Sequence, residues 1–233
     1  MAEILVAGIY LAHKPNTAAH IMLECAASNH HQVHQRWIAL APDGQGSYDL
    51  PLTELVVTEK TPKFTLLNRL LEDHRNFDWI MLTDDDVELA PDFLDTMTEL
   101  ADRHDFALCQ PARTADSFID HPITQIMPGL SARRTRFVEI GPVTLIRHDA
   151  AELLLPFPEA CGMGWGLDFV WPVVLERQGL RLGIIDAAPV AHRLRRPVSE
   201  YVHADADRQM FDLLAQAPHL SHDAAFMVLE AHA

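Results

Sequence analysis

Three cysteines in 233 residues are too few to build a disulfide framework. Cys25, Cys109 and Cys161 also lack the spacing of a thiolate metal centre, so they are expected as free thiols in the core of a protein from a reducing compartment. Basic residues are scarce as well: 18 Lys and Arg against 33 Asp and Glu leave a formal charge of −15 and an isoelectric point near 5.2. Such a surface offers no footprint for nucleic-acid phosphates or an anionic membrane. Any phosphate bound here must be held through a metal or a few local cations. Long apolar runs are missing too. The stretch 4–12 is far shorter than the roughly 20 residues of a membrane span, and it lacks the basic flank and cleavage site of a leader. It reads as the first strand of a soluble, cytoplasmic protein without a transmembrane segment.

What the chain does contain is an alternation of short apolar runs with helix-period segments, the pattern of βαβ units around a mostly parallel sheet. Its length suits one α/β domain. Strands are predicted at Ile4–Tyr10, Trp37–Leu40, around Leu55–Val57, at Trp79–Thr83, Phe106–Cys109, Phe137–Ile140, Val143–Ile146 and Leu182–Ile185. A crossover helix runs from Thr17. Thr61 is read as a helix cap with Pro62 at the first helical position, and Phe64, Leu67, Leu70 and Leu71 share one face of that helix. Pro91 opens another helix, with Phe93, Leu94, Met97 and Leu100 inward. Residues 111–136, with three prolines and the basic group Arg133, Arg134 and Arg136, read as a long functional loop. The expected division is a main domain over 1–198 and a C-terminal helical extension over 199–233 packed on it.

The most informative segment is Asp78-Trp-Ile-Met-Leu-Thr-Asp-Asp-Asp-Val-Glu88, an apolar strand that runs into three consecutive aspartates. The carboxyl end of a central strand is where open α/β sheets bind ligands, and adjacent carboxylates there repel one another unless a cation offsets them. In extended backbone Asp84 and Asp86 would face one way and Asp85 the other. Such a pair can ligate a hard divalent ion, Mg²⁺ or Mn²⁺, whose remaining ligands are often substrate phosphates. The competing interpretation is a solvated acidic turn. A haloacid-dehalogenase-type phosphatase also carries Asp-x-Asp after a strand, but it wants Thr or Val where Glu88 stands, and the acids near the first strand.

Two further elements follow. In Cys161-Gly-Met-Gly-Trp-Gly-Leu-Asp168 the glycines let backbone approach a ligand and free the face of Trp165 for stacking on a sugar. Asp168 begins the next helix and is read either as an N-cap or as a reactive carboxylate. His192 falls at the end of the last sheet strand, which sets it apart from the other histidines.

With these elements in this order the chain resembles the nucleotide-sugar glycosyltransferases of the GT-A fold, over about residues 3–195. Asp84-Asp85-Asp86 resembles their Asp-x-Asp motif. Gly164-Trp-Gly-Leu-Asp168 is similar to the Trp-Gly-Gly-Glu-Asp element of β-1,4-galactosyltransferases, with Leu167 in place of one acid, and His192 stands where they have a late metal-binding histidine. The run Phe137-Val-Glu-Ile-Gly-Pro-Val143, with the Gly-Trp-Gly element, also resembles an uncharacterised GT-A-like family. The resemblance implies a single GT-A-like, Rossmann-like domain. It implies a metal-dependent hexosyltransferase-like enzyme moving a sugar from a nucleotide diphosphate sugar to a hydroxyl acceptor, a glycan or small molecule, with inversion. Asp86 and His192 would hold the metal and Asp168 would be the base. Tyr10, Lys63, Asp84 and Asp85 would meet the donor, and Glu139 and Trp165 the acceptor. The alternatives are a non-catalytic nucleotide- or glycan-binding module of this fold and a metal-dependent nucleotidyltransferase. The latter would want a Gly-rich basic loop where Tyr10-Leu-Ala-His-Lys-Pro15 stands.

Overall fold

A computed structural model describes residues 1–196 and 203–233. The run of Ile4, Leu5, Val6 and Ala7 is fully buried because both faces of strand β1 (Glu3–Leu11) are covered. Alternation sends Ile4 and Val6 to one apolar cluster and Leu5 and Ala7 to the other. The first cluster is closed by helices α1 (Ala18–Ala26) and α3 (Phe93–Arg103). The second is closed by α2 (Lys63–Leu70), α4 (His148–Leu154) and α5 (Leu167–Glu176). Each large side chain buried in these layers contributes roughly 1.5–3 kcal/mol.

The other strands are β2 (Gln32–Leu40), β3 (Thr53–Val57), β4 (Trp79–Asp84), the short β5 (Val87–Glu88), β6 (Phe106–Arg113), β7 (Ala132–Thr135), β8 (Val143–Arg147), β9 (Arg181–His192) and β10 (Val228–His232). Nine run in the order β10-β7-β9-β6-β8-β4-β1-β2-β3, and β5 pairs off this path with β9. Strands β3, β2, β1 and β4 are mutually parallel, as the βαβ reading requires. Beyond them β6 and β9 run in the same direction and pair in parallel, so the sheet is mostly parallel with antiparallel strands inserted. Strand β8 lies antiparallel between β4 and β6, and β7 and β10 are antiparallel additions at the far edge.

Several local expectations need correction. Pro62 occupies the cap position of α2, and the Thr61 hydroxyl donates to the Glu59 carbonyl instead of capping. Helix α3 begins at Phe93, after Asp92 with φ 56°. Phe137–Ile140 is not a strand, because side chains satisfy its backbone: the Glu139 N–H donates to the Gln110 side chain, and the Thr135 and Thr144 hydroxyls donate to the carbonyls of Phe137 and Glu139. The loop expected over 111–136 is shorter, since β6 runs to Arg113 and β7 starts at Ala132. Arg133, placed in that loop by its sequence, is a buried residue of β7. Its guanidinium pairs with Asp186 at 2.8 Å and donates to the carbonyls of Ile123 and Gln125.

The C-terminal segment contains helices α6 (His203–Gln216) and α7 (His222–Ala225), and it also adds β10 to the sheet through β7. Glu230 on β10 pairs with Arg134 and Arg181. The boundary expected between residues 198 and 199 lies outside the described residues. Among those residues no helix is long and apolar enough to cross a membrane, and the three cysteines are free and buried.

Candidate active site

Strand β4 ends at Asp84, so the three aspartates turn off the sheet instead of continuing its alternation. Asp84 is half-buried and meets Lys63 Nζ, at the start of α2, at 2.5 Å. Asp85 and Asp86 are both buried and face a common partner, Arg195, in place of the opposite faces expected of an extended run. Thr17 holds this turn in place, its hydroxyl donating to the carbonyls of Asp85 and Val87 and its N–H to that of Asp85.

The pairing of β5 with β9 places Val87 opposite His192. Asp86, one residue earlier, thereby lies with its Oδ1 3.3 Å from His192 Nε2. Two residues far apart in sequence are brought together by one short ladder. Burial is the largest influence on Asp86 and raises its pKa, but the hydrogen bond and charge of His192, with Arg195, outweigh burial and hold the carboxyl below its ordinary value. Burial raises Asp85, and that rise is restrained by the Arg195 guanidinium and by the Leu11 N–H, which donates to Asp85 at 2.7 Å.

A divalent ion fits the Asp86–His192 pair. Two cis ligands with bonds near 2.1 Å sit about 3 Å apart in an octahedral shell, close to the 3.3 Å seen here. The Nδ1 atom of His192 is buried without a hydrogen-bond partner, while Nε2 donates to Asp86, so an ion at this pair would replace the Nε2 proton. Among the described residues no group of three or more His, Cys, Asp or Glu side chains could hold an ion. A metal here would therefore draw its other ligands from substrate and water, the usual habit of Mg²⁺ sites with one or two carboxylates.

Asp168 lies in the first turn of α5 and is not its cap, a position taken by Gly166 with φ 91°. Its side chain is buried, and Oδ1 has no hydrogen-bond partner. Burial pushes its pKa from 3.8 up to about 7, against the backbone N–H groups at the helix start, which pull it down. Close by, Glu139 is buried against Arg113 and accepts from its guanidinium. Burial raises Glu139 from 4.5 to about 8, with Arg113 opposing the shift and the charges of Asp120 and Asp168 adding to it.

Arg113 joins the two halves of the site. The same nitrogen that meets Glu139 donates to the Gly141 carbonyl at 3.2 Å, and a Cβ on Gly141 would fall 2.9 Å from Lys63 Nζ and 3.1 Å from Asp84. The structure thus brings Lys63, Asp84, Asp85, Asp86 and His192 together at the carboxyl end of β4, with Arg113 linking Gly141 to Glu139, on which the Asp168 charge acts. Trp165 is half-buried near His203, with its ring edge-on at 5.7 Å between centroids. Tyr10 is fully buried on β1 and its hydroxyl bonds Thr53 at 2.8 Å, so a nucleotide base would reach it only after that contact opened. Arg195 and Arg113 went unnoticed at the sequence level. The Arg193-Leu-Arg195-Arg196 group directly after His192 was the available signal for the first, and nothing local marked the second.

No protein-family model matches the chain, and no curated protein matches it in sequence. Solved structures match its fold. A structure of S. aureus TarS 1-349 in complex with UDP-GlcNAc superposes with a TM-score of 0.59 at 10% identity, over 95% of this chain and 68% of that one. A structure of GalNAc-T7 with UDP, GalNAc and Mn²⁺ gives a TM-score of 0.55 at 10% identity, over 87% of this chain and 46% of that one. The chain spans somewhat under half of GalNAc-T7 and about two thirds of the TarS fragment. The chain shares the fold of these structures, in agreement with the GT-A-like domain expected from its sequence.

Proposed function

We propose that the protein is a divalent-metal-dependent glycosyltransferase that moves a sugar from a nucleotide diphosphate sugar to a hydroxyl acceptor. The observation that carries this reading is the meeting of Asp86 and His192 at the end of β4 on a GT-A-like fold. Asp86 and His192 would hold Mn²⁺ or Mg²⁺, and the ion, when bound, supplies positive charge to the departing diphosphate. Asp84, positioned by Lys63, would accept from donor hydroxyls, and Lys63 would face the phosphates. Asp85 and Tyr10 complete the proposed donor side, and Trp165 and Glu139 the acceptor side.

Asp168 carries the chemistry that the chain itself can perform. A buried carboxyl with one oxygen left without a partner, pushed up to about 7 by burial, is matched to removing a proton from an alcohol at neutral pH. As Asp168 takes the acceptor proton, the oxygen forms a bond to the anomeric carbon, and the nucleoside diphosphate leaves with the electrons of the bond that breaks. Attack from the face opposite the leaving group inverts the centre, in keeping with the β-1,4-galactosyltransferase-like element around Trp165. The three buried thiols suit a cytoplasmic setting.

The test is a thermal-shift panel of UDP, GDP, dTDP and CMP compounds with and without Mn²⁺. UDP compounds come first, because the neighbours were crystallised with UDP and UDP-GlcNAc. Stabilisation by one base class that requires the metal is expected, and no metal-dependent stabilisation by any of them refutes the reading. A second reading, a binding module without turnover, draws on Arg195, which already neutralises Asp85 and Asp86. Mn²⁺-dependent donor hydrolysis that disappears in Asp168→Asn separates enzyme from module.

A further inference from the structure

A cavity of about 590 Å³ lies between the 114–131 loop and the C-terminal α7–β10 segment, within the size range of small-molecule sites. Its lining is largely apolar, with Pro122, Ile123, Ile126, Met127 and Val228 beside the Phe226 ring, whose centroid is 4.2 Å from that of His222 and 5.2 Å from that of His121. Its polar residues include the exposed Gln125 and Asp120, whose more than half-exposed carboxylate also lies 3.7 Å from Arg113. His121 belongs both to this cavity and to the buried cluster, since its Nε2 lies 3.8 Å from Glu139 Oε1. Glu139 itself is buried behind it, so a ligand in the cavity would meet His121 first.

This lining selects among ligand classes. Its one arginine, Arg133, has its guanidinium committed to Asp186 and to the carbonyls of Ile123 and Gln125, and Asp120 would repel an anion. A phosphate or carboxylate ligand therefore finds no free guanidinium. A purely apolar ligand would strip water from Asp120 and Gln125 without replacing its hydrogen bonds. A saccharide satisfies both halves: its C–H face covers an aromatic ring, and its hydroxyls donate to a carboxylate and exchange hydrogen bonds with an amide and an imidazole.

We propose that this cavity is a neutral saccharide subsite, one imidazole away from the Arg113–Glu139 pair, that holds the part of the acceptor beyond its reacting hydroxyl. The word acceptor rests on the glycosyltransferase reading; saccharide binding in the cavity does not. The test is saturation-transfer NMR on the full chain with the methyl β-glycosides of glucose, galactose, N-acetylglucosamine and N-acetylgalactosamine. Transfer to the ring protons of at least one glycoside is expected. Affinity should fall about tenfold in Phe226→Ala, the loss of one aromatic contact. Phe226 also stacks on Phe137, so Asp120→Ala, at a more than half-exposed side chain whose pairing with Arg113 is only a 3.7 Å contact, provides a second variant, with urea unfolding to check its stability, and it should weaken binding as well. No transfer to any of the four glycosides, or unchanged transfer in both variants, overturns the subsite. Glycoside binding without metal-dependent nucleotide binding would refute the transferase and leave a saccharide site; nucleotide binding without glycoside binding would do the reverse.

Discussion

Replacing Asp168 with asparagine keeps the volume of the side chain and removes its titration. In the folded protein the carboxyl is raised from 3.8 to about 7 by burial. A carboxyl raised on folding contributes stability that is fully present below its unfolded pKa and is lost as pH rises through the folded value. The loss over the whole range is about 4 kcal/mol at 1.36 kcal/mol per pKa unit, and between pH 5 and pH 8 it is roughly 2.5 kcal/mol. Asp168→Asn has no such term, so its stability relative to the parent should climb by about that amount from pH 5 to pH 8. Urea unfolding of both proteins at the two pH values reads the difference directly. The same variant should keep nucleotide affinity and lose roughly a hundredfold or more in turnover, while the parent's turnover falls as pH drops below about 7. Capping offers no alternative explanation, because Gly166 holds the cap position. Parallel stability profiles for the two proteins would show that Asp168 titrates normally and would remove the basis for a base at this position.

Further outcomes are expected at four other positions. Asp86→Ala should abolish Mn²⁺-dependent nucleotide binding, and His192→Ala should weaken Mn²⁺ affinity; Mn²⁺ titrations followed by electron paramagnetic resonance check both, and wild-type affinity in either variant removes that residue from the metal site. Arg195→Ala leaves the buried Asp85 without its guanidinium and should cost about 3–5 kcal/mol in urea unfolding, with Arg195→Lys intermediate because lysine cannot reproduce the fork. Gly164→Ala places a Cβ against the Phe64 ring at a φ of +79° and should cost on the order of 2–3 kcal/mol, measured the same way.

The parts of the fold legible from sequence are those in which local pattern and tertiary environment agree. The β1 and β4 runs are apolar on both faces because helices cover both faces, and the inward positions of α2 and α3 repeat at helical spacing because one side of each helix is buried. Phe137–Ile140 has the same apolar content, yet Gln110, Thr135 and Thr144 take its backbone hydrogen bonds, and no periodicity announces a partner that is a side chain. Strand β7 was hidden for the opposite reason: Ala132-Arg-Arg-Thr135 looks solvated until Asp186 on β9 and Glu230 on β10 supply its counter-charges.

The site divides along the same line. Asp84, Asp85 and Asp86 stand out in the sequence because three adjacent carboxylates at a strand end demand compensation, and an argument from repulsion alone points to a cation without saying which. The structure supplies part of that compensation from the chain itself, through Lys63 at Asp84 and Arg195 at Asp85 and Asp86. Arg195 is more than a hundred residues away, and only the β5–β9 ladder that brings His192 to Asp86 also brings Arg195 within reach. Asp86 is thus the carboxylate where the two kinds of compensation meet: Oδ2 faces Arg195, while Oδ1 faces His192. An ion entering between Asp86 and His192 need not evict the guanidinium. The competition between internal and external cation should therefore be graded, so that Arg195→Ala strengthens Mn²⁺ binding in whatever fraction stays folded, whereas an unchanged affinity would mean that the two cations act on Asp86 independently.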